Sequence, residues 1–146
     1  MVALVRPDSW DVPLFLHVLG AIALFGGVGS VALLAVAALR YEEHSALLRR
    51  TAFVTTLTVV WPAYVAMRIG GQWILGREGL DQDTPGWVGV GFVVSDVGIL
   101  VLALITLLGW LASRRPGAGR FLAVLSVVYV VALGIAWFAM TAKPGA

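Results

Sequence analysis

Three side chains stand where ionisable groups are rare: His17, Arg68 and Asp96 each fall inside a long apolar stretch. Placing one such group in hydrocarbon costs about 2.5–3.5 kcal/mol on insertion scales, so each calls for a partner or a wet cavity. Arg68 and Asp96 have opposite charges and lie at similar distances from the centres of successive stretches, roughly 7 Å and 5 Å at a helical rise of about 1.5 Å per residue. An ion pair between them is predicted, with the guanidinium engaging the carboxylate through two parallel hydrogen bonds. Around Arg68, the spacing Trp61, Tyr64 or Val65, Arg68, Gln72 marks one face of a helix. From a later stretch, Tyr129 and Trp137 complete a lining, with Ser126 one turn below Tyr129. Arg68, Asp96, Tyr64, Trp61, Gln72 and Tyr129 are therefore the candidate ligand pocket, suited to holding a small ligand or relaying ions or protons. A plainer role stands beside this one: the ion pair fixes helix register and the aromatics fill a core.

His17 lies close to one end of its stretch, about 13 Å from the centre by the same rise. Three roles are open to it: haem ligand, proton acceptor, or interfacial histidine bonded to a nearby loop. It cannot share a haem with His44 of the same chain, which lies about 40 Å away along the helix rise. Met67 and Met140 could join His17 at a soft copper site, but they stand in apolar context without Met-x-x-Met spacing. The segment Asp81-Gln82-Asp83-Thr84-Pro85-Gly86 begins like a calcium loop, yet Pro85 and Phe92 fall where oxygen ligands belong, so an acidic turn is expected. No metal site and no catalytic set is assigned. The absence of cysteine excludes disulfides, thiolate zinc sites and iron–sulfur clusters.

The elements that must position these groups follow from composition. Of 146 residues, 60% are hydrophobic and 12% charged, with a mean hydropathy of +0.96, far outside the soluble globular norm. Four apolar segments, 13–39, 51–75, 87–112 and 121–141, are each long enough to cross about 30 Å of hydrocarbon as helices, and no strand pattern competes. The first segment lacks a cleavage site and follows Asp8 and Asp11, so it reads as a retained helix rather than a secretory signal. Short connections make successive helices antiparallel neighbours. The expected fold is an all-α membrane protein, a single four-helix up-down-up-down bundle over 1–146 with no repeat or domain boundary.

Arg40, Arg49, Arg50, Arg114, Arg115 and Arg120 gather in the first and third connections, while Asp8, Asp11, Glu78, Asp81 and Asp83 occupy the opposite end with Arg6, Arg77 and Lys143. The positive-inside rule puts the arginine-rich connections in the cytoplasm and both termini outside. Trp10, Trp73, Trp87 and Trp137 mark the outer boundary and Trp110 the inner one. This arrangement suits a lipid surface, not a nucleic-acid groove. Nine arginines against the single Lys143, with Ala, Val, Leu and Gly dominant, point to a high-GC bacterial source and its plasma (inner) membrane. Ala23 with Gly27, Gly26 with Ser30, and Gly91 with Ser95 form small-xxx-small pairs that permit close helix approach. Pro62 removes the amide that would bond the Thr58 carbonyl, so a kink is expected about midway through the second span.

The run Leu16-His17-Val18-Leu19-Gly20-Ala21-Ile22, followed by Gly26-Gly27, resembles the first helix of uncharacterised four-helix bacterial membrane proteins. It is more distantly similar to the CopD-type copper-resistance domain and the HemJ-type protoporphyrinogen oxidase. The resemblance to HemJ-type proteins implies haem b bound through His17. That family also uses a lysine in a later helix, which no span here contains, and CopD-type proteins are richer in histidine. The uncharacterised four-helix group matches best in length and topology. Three functions are expected in turn: a non-enzymatic protein with an outward-facing polar pocket, an accessory subunit of a larger membrane complex or homo-oligomer, and a haem-dependent redox protein.

Overall fold

A computed structural model describes residues 11–78 and 86–142 of the chain, and these are helical almost throughout. Helix α1 spans Asp11–Arg40, α2 Ser45–Thr55, α3 Trp61–Glu78, α4 Gly86–Arg114 and α5 Gly119–Ala142. A π-helical segment, Thr56–Val60, joins α2 to α3 without a break, so the two make one long second span. Cations close the last turns of α1, α3 and α4, at Arg40, Arg77 and Arg114. There the exposed carbonyls and the negative end of the helix dipole favour positive charge. Among the described residues four helices are long and apolar enough to cross a membrane, and only 28–39% of each apolar window is buried within the molecule. The apolar remainder, including Leu33, Leu100, Phe121 and Phe138, must face a medium as apolar as itself.

The second helical span begins earlier than the predicted residue 51. Its start is Ser45, and the link from α1 is only Tyr41 and the 3₁₀ turn Glu42–His44, closed by the His44 N–H donating to the Tyr41 carbonyl at 3.2 Å. Residues 42–50 contain neither Gly nor Pro, so their polar composition does not stop the helix. The expected disruption at Pro62 takes the form of the π segment. There the Trp61 N–H reaches the Thr56 carbonyl five residues back, which absorbs the register lost to the proline. Thr56 and Thr58 donate to the Ala52 and Val54 carbonyls, both at 2.9 Å, a back-bonding that also favours bending.

Helix α1 is central, packing against the second span and α5, while α4 packs against α5 and α2. The closest approach is between α1 and α3. A β-carbon at Gly20 would overlap the Met67 backbone, and one at Gly70 the His17 backbone, while Gly27 rests on Val60. Residue numbers thus fall along α3 as they rise along α1, an antiparallel register set by bare glycine surfaces. Of the predicted small-residue pairs, Gly26 and Ser30 take no part: both are exposed, no atom stands within 4 Å of a Gly26 β-carbon, and Ser30 bonds the Gly26 carbonyl of its own helix. Leu24, Val28, Val31, Val60, Leu102, Ile105 and Leu122 form the aliphatic core. Helices α3 and α4 hardly approach each other along their backbones, and only long side chains cross between them.

Candidate functional site

The side chains that bridge α3 and α4 are the predicted polar and aromatic ones. Arg68 pairs with Asp96 through one nitrogen and with its second nitrogen donates to the Ser95 hydroxyl at 2.7 Å. The Phe92 ring lies 5.5 Å from the guanidinium carbon. The two parallel bonds to the carboxylate are therefore not formed, because Ser95 takes one arm of the fork. Tyr64, buried, donates to the Ser95 backbone carbonyl at 3.0 Å. Trp61 donates its indole N–H to the Thr106 hydroxyl at 2.9 Å, and Thr106 in turn donates to the Leu102 carbonyl at 2.7 Å. Trp61, Tyr64 and Arg68 on α3 thus each have an acceptor on α4, and these side chains span the gap between the two backbones.

Beside this bridge, at the end where α1 begins and α5 finishes, the four spans enclose a cavity of about 440 Å³. Its walls are mostly apolar. The polar groups among them are His17, Arg68, Gln72, Ser95, Tyr129 and Thr141, and Trp137 contributes an indole that also meets Phe25 edge-on at 5.5 Å. Of the six residues predicted for the pocket, Arg68, Gln72 and Tyr129 line the cavity. Tyr64 and Trp61 do not: they lie deeper in the α3–α4 bridge, where their polar atoms are already engaged. Asp96 is turned outward, its side chain 58% exposed against 31% for Arg68. The ion pair therefore sits on the rim of the cavity, in the gap between α3 and α4.

His17 is held tightly. Its Nδ1 lies 2.9 Å from the Met67 carbonyl, an oxygen that can only accept, so Nδ1 carries a proton and donates it there. The ring lies over Gly71, where a β-carbon would stand 3.0 Å from Nδ1. This partner is the α3 backbone and not a loop. Tyr129 is the reverse case. It is 3% exposed, its hydroxyl rests over Gly98 where a β-carbon would collide with it, and that hydroxyl has no hydrogen-bond partner. Ser126, fully buried one turn away, is likewise unpartnered. Leaving a buried hydroxyl unsatisfied costs about 1–3 kcal/mol.

A bond from Nδ1 to a carbonyl is what orients a metal-ligating imidazole, so His17 alone fits one side of a haem iron. His44 lies in the turn at the opposite end of α1, and no group of three or more His, Cys, Asp or Glu is gathered among the described residues. The acidic turn over 79–85, Arg6, Asp8, Trp10 and Lys143 lie outside the described residues, as do the side chains of Glu78 and Trp87.

The sequence marks Ser95 only as a small packing residue and Phe92 only as a position without a ligand oxygen, and it gives no role to Thr106 or to the glycine seat of His17. Phe92, Ser95 and Asp96 nonetheless share a face at helical spacing, which is the signal that could have joined them. Gly70 and Gly71 gave no signal that distinguishes them from other glycines. No family model, no curated protein and no solved structure matches this chain.

Proposed function

We propose that this chain is a non-enzymatic multi-pass protein of the bacterial plasma membrane. In this reading it is an up-down-up-down bundle with both termini outside, and its outward-facing intramembrane pocket binds a small ligand. The orientation rests on the arginines of the first and third connections, since cytoplasmic loops accumulate Arg and Lys. The observation that carries the function is the cavity beside the Arg68–Asp96 bridge, walled by apolar side chains with a few convergent polar groups, the usual make-up of a ligand site. Its test is chemical: small molecules released from purified wild-type protein are compared by mass spectrometry with those from Ala136→Trp, which fills the cavity. A species carried by the wild type and missing from the variant is expected. Identical extracts would remove the pocket reading.

A second reading draws on Asp96. A carboxylate 58% exposed on an apolar surface calls for something polar beyond Arg68, and the polar face of a second copy or of a larger complex would supply it. Mass measurement in mild detergent separates the two readings, because a solitary monomer would count against this one.

A further inference from the structure

Independently of the pocket, we infer that the arginine-bearing end of the bundle holds the phosphate of an anionic phospholipid where α1 ends and α2 and α5 begin. Three observations converge there. The first is the meeting of three helix ends. A β-carbon on Gly119, the first residue of α5, would stand 3.6 Å from Arg49 Cδ on α2 and 3.7 Å from Leu39 Cδ2 on α1. Arg40 and Arg120 follow Leu39 and Gly119 directly in the chain, so arginines from three helices are gathered about one point. The second is the lack of an internal counter-charge. Among the described residues no carboxylate pairs with any of the three, and the first turns of α2 and α5 hold no acidic side chain. Glu42 and Glu43, in the turn after α1, are exposed and unpaired. Half-buried Arg49 is fixed in place, donating from one terminal nitrogen to the Ser45 hydroxyl at 3.1 Å, while Arg40 and Arg120 are exposed and available for contact. Guanidinium groups brought together repel one another unless an anion lies between them, and their planar forks match phosphate oxygens. The third is the apolar rim. Leu39, Tyr41, Leu47 and Phe121, close in the chain to the three arginines, are exposed. A free phosphate would leave them uncovered, whereas the acyl chains of a phospholipid lie over them. The apolar spans end at this level, and Arg114 lays its guanidinium 4.3 Å from the centre of the Trp110 ring, an arrangement suited to a headgroup boundary.

The test uses the full chain in nanodiscs of phosphatidylcholine, alone or with phosphatidylglycerol raised to about a fifth of the lipid. Melting temperature is read, since a ligand of the native state raises stability with its concentration. The expected result is a rise that saturates with phosphatidylglycerol, weakens at high salt, and falls to about half or less in the Arg40→Gln/Arg120→Gln double variant. Both positions are exposed, so the fold tolerates the change. Arg114→Gln/Arg115→Gln removes the same charge at the end of α4, whose backbone α1 hardly approaches, and is expected to keep the full rise. Equal melting temperatures with and without phosphatidylglycerol would overturn the inference. So would a rise that Arg40→Gln/Arg120→Gln leaves unmoved, or one that both double variants reduce alike, which is diffuse charge and not a site. If inorganic phosphate in phosphatidylcholine alone gives the same rise with the same dependence on Arg40 and Arg120, the lipid source is overturned and a phosphate site stands. None of these outcomes touches the pocket reading, which the extracts from Ala136→Trp decide. A chain that does not enter nanodiscs would overturn this inference and the membrane reading together.

Discussion

Tyr129 keeps its hydroxyl buried and unbonded over Gly98, and there that atom is a burden. Tyr129→Phe is therefore expected to leave the unliganded protein as stable as the wild type or up to about 1 kcal/mol more stable, read by thermal unfolding followed by circular dichroism. A loss of stability would mean that the hydroxyl has a structural partner. Arg68 behaves oppositely, because its two bonded nitrogens tie α3 to two successive residues of α4. In a double-mutant cycle, Arg68→Ala and Asp96→Ala should each destabilise, and the pair together by less than their sum, with a coupling of about 1 kcal/mol or more. Arg68→Lys should recover only part of the loss, since one ammonium lacks the planar fork that reaches both Ser95 and Asp96. Additive effects would show that the charges act independently.

At the scale of the helices, glycine decides where backbones touch. Gly20→Ala and Gly70→Ala should each cost about 1–3 kcal/mol by forcing α1 away from α3, whereas Gly26→Ala, on an open face, should be neutral or stabilising by up to about 1 kcal/mol. Chemical denaturation in mixed micelles checks the contrast, and equal effects at Gly20 and Gly26 would contradict the packing described. The four spans and the Arg68–Asp96 contact were legible in the sequence, because hydropathy and opposite charges at matched depth are one-dimensional signals. What was not legible depends on the angle between helices. Gln72 follows Arg68 on one helical face, yet it is exposed, because the α3 and α4 backbones stand apart. On the same face Tyr64 is buried and Trp61 half-buried, both engaged in the bridge. Likewise, the π segment appears in the sequence only as a proline, and the extra residue it accommodates has no letter of its own.

For the whole molecule, the lack of cysteine makes orientation directly measurable. Single cysteines at Ser113 and Thr141 are expected to react differently with an impermeant maleimide: Thr141→Cys in intact cells, Ser113→Cys only after permeabilisation. The reverse pattern would invert the bundle and turn the cavity toward the cytoplasm. The cavity beside the Arg68–Asp96 bridge also bears on how this protein should be handled. An intramembrane site whose occupant comes from the lipid is filled according to the mole fraction of that occupant in the surrounding lipid, not its concentration in water. Each wash with fresh detergent lowers that fraction, however slowly the occupant would partition into buffer. On the pocket reading, protein isolated in a large excess of micelles is expected to arrive emptied, and the same chain excised from its membrane with a shell of native lipid is expected to arrive loaded.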